Sequence, residues 1–309
     1  MSPRRVAGAP PATVADLLPM RLGITHPERV YWREEGWTKL DLLRHYALVW
    51  PRLEPWVHDR LLSLERCPDG TGGPCFYQKE KPAGLPEDTP TTRIEHESSV
   101  IRYVVGGRLE TQLALAGLGC IAIHVWGSRA AHPRQPDWVC FDLDPARGGF
   151  AEAARAGLHV KAALDALELH SYAKTSGGRG LHVFVPIEIG PDADQVKDFA
   201  LGLSRHLARA FRDELTVEAR IAARGERLYL DCMRNGFAQT VVPPWSVRAR
   251  PRAPVSTPLD WSEVRPDLDP TSFNLGNIAE RLAEPDPWAD FFEHRQSLDD
   301  AIRAVAGIR

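Results

Sequence analysis

The sequence is short of cysteine and of long apolar runs. Its 309 residues contain five cysteines: Cys67, Cys75, Cys120, Cys140 and Cys232. Their number is odd and no C-x-x-C pair occurs, so neither a disulfide framework nor a structural zinc knuckle is expected, and a reducing cytoplasm fits. No stretch approaches the roughly 18 apolar residues that a membrane span needs. Leu113 to Ile123 is apolar but too short, and glycines break it. No membrane partner is expected. A dominant charge is also lacking: 38 Lys and Arg stand against 41 Asp and Glu, a formal charge of −3. That excludes a histone-like polycation but not a local basic patch. The N-terminus is basic and Pro/Ala-rich without an apolar core, so it does not read as a signal peptide. No internal repeat is found.

What is present is an ordinary globular balance, 43% hydrophobic and 26% charged, in a chain long enough for one large or two modest folding units. Residues 1–22, with Pro3, Pro10, Pro11 and Pro19, read as a flexible arm, and order is expected to begin near Thr25. Thr38 caps apolar residues spaced by three and four, which predicts a helix, with Pro51 and Pro55 interrupting the next stretch. Residues 67–92 are turn-rich, and Glu97 to Val105 reads as strand or hairpin. From Leu109 a helix is predicted, followed by the order β-β-α-β-β-α-β through Asp231. Hairpins beside helices argue for an α+β fold rather than a parallel α/β one. Pro285 onward reads as a peripheral helix, 285–309.

Several constellations could carry chemistry. Asp142-Leu143-Asp144 closes a predicted strand, so both carboxylates share one face, about 6.6 Å apart. Like charges so placed suit a divalent cation between them, magnesium or manganese by the hardness of oxygen ligands, and two such ions serve phosphoryl transfer. Alone, the pattern also fits a polar strand end. Asp267-Leu268-Asp269 repeats it between prolines and reads as a solvated turn. Asp231 ends another apolar strand and is a candidate third carboxylate, or a turn starter.

Lys174 through His182 contains the run Ser176-Gly177-Gly178-Arg179-Gly180, small residues whose N–H groups can form an anion nest. Ser176, Arg179 and His182 would add donors. The run is neither a Walker A motif nor G-x-G-x-x-G, and a plain Gly-rich hairpin fits it too. If extended, Trp245 to Arg250 puts Arg248 and Arg250 on one face, and guanidinium forks match phosphate oxygens. Phe76-Tyr77-Gln78-Lys79 sets aromatics beside a lysine, which suits base stacking or core packing. His26, Arg29, Lys39 and Arg44 make a basic stretch that suits a DNA phosphate or a solvated face. Taken together, these are the parts of a nucleotidyl-transfer site.

In this combination the chain resembles the polymerase domain of bacterial DNA ligase D, in the archaeo-eukaryotic primase superfamily. The resemblance covers about residues 24–275. It is carried by Thr25-His26-Pro27, Thr38-Lys39-Leu40-Asp41, Arg66-Cys67-Pro68-Asp69-Gly70, Phe76 to Lys79, Gly119 to His124, Phe141 to Pro145, Lys174 to His182, Leu230-Asp231, Ser246 to Arg250 and Ala253 to Pro258.

The resemblance implies a primase-like fold with an RRM-like mixed or antiparallel catalytic sheet flanked by helices, and an N-terminal α/β module. It places a polymerase domain at 23–284, with an N-terminal module at 23–107 and a catalytic module at 108–260. Asp142, Asp144 and Asp231 would bind two divalent ions, manganese or magnesium. Ser176, Gly177, Arg179, His182, Arg248 and Arg250 would hold the triphosphate. Phe76 or Tyr77, with Lys79 beside them, would meet a base, and His124 would lie near the sugar. His26, Arg29 and Lys39 match a pocket for a downstream 5′-phosphate. Glu65 stands where some relatives carry lysine, and residues 86–101 match a loop that aligns broken ends.

The implied activity is templated extension and gap filling with a preference for ribonucleotides, and occasional untemplated addition, in bacterial non-homologous end joining, in the nucleoid. Gapped, overhanging or broken DNA and nucleoside triphosphates are the expected partners. A Ku-type end-binding protein and a separate DNA ligase are candidate ones. No K-x-D-G motif occurs, so nick sealing by that route is not expected. De novo priming, a non-catalytic nucleic-acid-binding module and a nuclease are the alternatives.

Overall fold

The computed structural model describes residues 22–146 and 149–307. The arm expected over 1–22 lies outside them, apart from Leu22. First come β1 (Val30–Trp32), β2 (Trp37–Thr38), α1 (Lys39–Val57), β3 (Arg60–Arg66), β4 (Phe76–Gln78), β5 (Thr91–Glu95), β6 (Val100–Val104) and α2 (Leu109–Gly117). Next are β7 (Cys120–Arg129), β8 (Trp138–Asp144), α3 (Phe150–Asp165), β9 (Tyr172–Thr175), β10 (Leu181–Pro186), α4 (Ala193–Ala210), β11 (Leu215–Thr216), α5 (Ile221–Arg224) and β12 (Leu228–Asp231). The chain ends with β13 (Thr240–Val241), β14 (Pro258–Leu259), α6 (Ile278–Leu282) and α7 (Asp299–Gly307). No described helix is long and apolar enough to cross a membrane.

The expected α+β fold is present, with β5 and β6 forming the hairpin that contains the predicted 97–105 strand. Thr38 caps α1 reciprocally: its hydroxyl accepts from the Asp41 amide (3.3 Å), and the Asp41 carboxylate accepts from the Thr38 amide (2.8 Å). Pro51 and Pro55, expected to interrupt the chain, lie inside this helix. Each removes a backbone donor, but Leu42, Leu43, Tyr46, Val49, Leu53 and Trp56 are buried on one side of α1, and that burial outweighs the local penalty.

Six strands form the larger sheet, in the order β11-β12-β8-β10-β9-β14. Every pair is antiparallel except β11 with β12. Alternation along β8 divides the side chains. Val139, Phe141 and Leu143 enter the core shared with α3 and α4, while Trp138 and Cys140 enter a second, aromatic core. Asp142 and Asp144 continue that second face beyond the aromatic core.

The smaller sheet runs β13-β7-β3-β4. Here β7 pairs antiparallel with β3, so one sheet holds strands from both sides of residue 107. Pairing between segments some sixty residues apart leaves no local periodicity. The C-terminal stretch also differs from a purely peripheral helix. Trp288 and Phe291 are buried and stack with centroids 5.4 Å apart, beside Trp56, Tyr172 and Phe184. Among the described residues there, only Asp299–Gly307 is helical, and its Ala301 and Val305 join the other core.

The expectation of no disulfide is corrected as well: Cys67 and Cys75 are bonded. The β3/β4 register ends with Arg66 opposite Phe76, so the next residues on each strand, Cys67 and Cys75, face each other across the turn. Cys120, Cys140 and Cys232 are free and buried.

Candidate active site

Register builds the centre of the site. Asp231 on β12 pairs with Asp142 on β8, Asp142 with His182 on β10, and His182 with Lys174 on β9. One polar row therefore crosses four strands. Asp144 lies two residues further along β8, on the face of Asp142, opposite Tyr229. The apolar strand pattern that predicted β8 and β12 thus delivers three carboxylates to one end of the sheet.

Their charges are only partly balanced. Arg234 Nε lies 3.2 Å from an oxygen of Asp142 and 3.2 Å from one of Asp231. His182 Nε2 lies 3.2 Å from the other Asp142 oxygen. Burial pushes the Asp142 carboxyl up, but the His182 ring and the Arg234 guanidinium outweigh it and hold the group well below the usual range. Asp144 has no such ion pair among the described residues, and burial together with the Asp142 charge pushes it up to about 6. Burial raises Asp231 too.

This donor set fits divalent cations. It offers three hard carboxylates, one guanidinium already bridges two of them as a cation would, and Asp144 is left with repulsion that Arg234 and Arg224 offset only in part. No group of three or more His, Cys, Asp or Glu among the described residues is already gathered as a metal cluster. Arg234 holds the bridging position between Asp142 and Asp231 instead.

A cavity of about 280 Å³ opens beside these groups. Asp142, Asp144, His182 and Arg234 form one wall, and Ser176, Arg248 and Arg250 another. The Gly-rich turn is packed close to the arginines. Gly177 has φ +67°, and a Cβ there would meet Arg248 Cγ at 2.5 Å. A Cβ at Gly180 would meet the Leu143 carbonyl oxygen at 2.6 Å. Only glycine permits this approach. Arg248 donates to the Ser176 carbonyl (2.8 Å), while its Nε is buried with no hydrogen-bond partner among the described residues. Arg179 is exposed on the turn, outside the cavity lining.

The smaller sheet supplies the opposite wall, through Tyr77 and His124. Tyr77 sits edge-on to His124 at 5.5 Å, and Glu65 lies 3.8 Å from His124 Nε2. Burial lowers the His124 pKa. Of the two adjacent aromatics, Tyr77 faces the cavity. Phe76 takes the other side of β4, with the Arg66 guanidinium 5.4 Å from its ring. Lys79 is exposed just past the strand, outside the lining.

The basic N-terminal residues are neighbours but are committed internally. Lys39 is buried and donates to the carbonyls of Thr25 (2.7 Å) and Gly117 (3.0 Å). Arg29 pairs with Asp69 (2.5 Å) and donates to the Pro68 carbonyl (3.1 Å). His26 is exposed, 3.6 Å from Glu28.

Sequence reasoning missed Arg234, although its place three residues after Asp231 is a usable signal. It also missed Thr240, Val241 and Val242, which line the cavity and carry no motif. The Asp267-Leu268-Asp269 repeat is indeed a turn, with Asp269 capping Thr271 and pairing with Arg252.

Sheet-borne carboxylates thus line one cavity with a serine of the glycine-rich turn and two arginines. The chain belongs to the LigD primase-polymerase domain family, whose model matches residues 38–288. It is similar to the multifunctional non-homologous end joining protein LigD of Pseudomonas aeruginosa: 33% identical over 298 residues, covering 92% of this chain and 34% of that one. The bifunctional non-homologous end joining protein LigD of Bacillus subtilis is 27% identical over 291 residues, covering 92% and 46%. The chain thus spans between a third and a half of the length of these relatives. The fold matches the polymerase domain from Mycobacterium tuberculosis ligase D in complex with DNA, with TM-score 0.84 and 23% identity, covering 90% of this chain and all of that one.

Proposed function

We propose that this chain extends DNA 3′ ends and fills gaps by adding ribo- or deoxyribonucleotides during non-homologous end joining. The supporting observation is the in-register meeting of Asp231 with Asp142, beside Asp144 and across a cavity from Ser176, Arg248 and Arg250.

Asp142, Asp144 and Asp231 would hold two divalent cations, manganese or magnesium, which when bound supply positive charge at the transferring phosphoryl group. Arg248 and Arg250 grip triphosphate oxygens through their forks, and Ser176 and His182 add donors. Arg179 on the exposed turn and Arg234 at the wall are further proposed contacts for the triphosphate. Tyr77 offers a face to the base, and His124, held against Glu65, lies on the sugar side. Catalysis is then mostly positioning and preorganised charge. His26, Arg29 and Lys39 are the proposed contact for a downstream 5′-phosphate, with 23–284 as the polymerase unit. Broken DNA, a Ku-type end-binding protein and a separate ligase are the proposed partners, and the nucleoid the proposed setting.

A 5′-phosphorylated gapped duplex tests this, incubated with manganese and either nucleotide type. Primer extension into the gap is expected. Binding of the duplex without any incorporation would reject the enzymatic reading in favour of a binding module, and extension without a primer would point to priming.

A further inference from the structure

The polar row does not stop at His182. Lys174 stands opposite it on β9, fully buried. Its Nζ lies 2.9 Å from His182 Nδ1 and 2.6 Å from Ser256 Oγ. The Ser256 hydroxyl donates to the Thr175 carbonyl at 2.9 Å, so toward Lys174 it accepts. Across the ring, His182 Nε2 faces the Asp142 carboxylate at 3.2 Å, and that contact needs the ring proton on Nε2. A neutral imidazole protonated there has its lone pair on Nδ1, directed at the Lys174 amino group, whose pKa burial lowers to about 7 and which carries N–H in either protonation state. The chain of donors therefore runs one way, from Lys174 through His182 to Asp142.

Space filling does not explain a lysine here. The position abuts the Phe184 ring, 5.6 Å from Nζ, and an unbranched apolar side chain would fill it without burying a charge. No carboxylate among the described residues pairs with Lys174, so its amino group is spent on the ring and one hydroxyl.

We propose that Lys174 is a positioning residue: by donating to Nδ1 it holds His182 as the Nε2–H tautomer and aims that N–H at Asp142 and the cavity. The consequence for nucleotide transfer rests on the triphosphate reading of the cavity, whereas the tautomer itself does not.

Imidazole ¹H–¹⁵N correlation on the full chain labelled at histidine reads the tautomer directly, with His182 assigned from the signals lost in His182→Gln. Nε2 is expected protonated and Nδ1 bare. Lys174→Met should mix the tautomers and lower kcat for incorporation by about tenfold or more at unchanged KM for primer–template. Lys174→Gln, which keeps an N–H donor, should recover part of both. A wild-type His182 protonated on Nδ1 overturns the proposal. So does a folded Lys174→Met protein with the wild-type tautomer and kcat. If Lys174→Met does not fold, the wild-type spectrum and that of Ser256→Ala decide, with a mixed tautomer expected in the latter. A wild-type chain that incorporates no nucleotide would defeat the polymerase reading while leaving the tautomer measurement to stand or fall alone.

Discussion

The carboxylate row and the basic N-terminal corner are both clusters of charged side chains, but they hold their charge differently. At the row, one guanidinium pairs with Asp142 and Asp231, one imidazole with Asp142, and Asp142 and Asp144 border a cavity. At the corner, Lys39 is satisfied by two backbone carbonyls and Arg29 by Asp69 and Pro68. The row has charge left over for a ligand, while the corner must give up an existing contact before it can bind one. Residue type alone would rank the two as equal.

The sharpest test of this contrast is removal of the unbalanced charge. Asp142→Ala or Asp144→Ala should cut primer extension by about a thousandfold or more, roughly 4 kcal/mol on the barrier, while duplex binding stays near wild type. Retained extension in the double variant would break the assignment of the row. Next in size is Arg248→Ala, which should raise KM for the nucleotide by about 10- to 100-fold, as expected for losing hydrogen bonds to a charged group. Arg248→Lys should recover only part, because the ammonium lacks the fork.

A third test probes what joins the two regions. His45 on α1 is buried, and its Nε2 meets the Trp245 carbonyl at 2.9 Å, at the start of the segment that carries Arg248. Burial lowers its pKa from 6.5 to about 4. The unfolded chain therefore takes up the proton first, and stability present above pH 6.5 is lost as the pH falls toward 4, by about 3 kcal/mol in total. Urea midpoints at pH 7.5 and 5 should show the fall, and His45→Gln should flatten it. An equal slope in the variant would remove His45 from the account.

The smallest effect belongs to the corner. Arg29→Ala with Lys39→Ala should erase any preference for 5′-phosphorylated over hydroxyl-ended gaps, with only a few-fold change in extension on unphosphorylated primers. A wild type that binds both ends equally would show that the internal contacts of Arg29 and Lys39 are their whole role.

Much of this was legible before any coordinates. The Thr38 cap, the β8 and β12 strands and the glycine turn announce themselves through short-range rules, because caps, alternation and φ freedom depend on neighbouring residues. Pro51 and Pro55 misled for the same reason: a local penalty was visible and the buried face that overrides it was not. The Cys67–Cys75 pair became readable only once the β3/β4 register was known.

From its order of residues alone, this protein's α+β class, its candidate carboxylates and its anion turn could be named, since each is a local pattern with a local cause. Which of those groups meet was settled by strand pairing between distant segments. That pairing set Asp231 opposite Asp142, brought Arg234 between them and turned Tyr77 rather than Phe76 to the cavity, while helix packing tied Lys39 to the carbonyls of Thr25 and Gly117. Hydrogen-bond register and burial act across the folded chain, and no window along the sequence contains them.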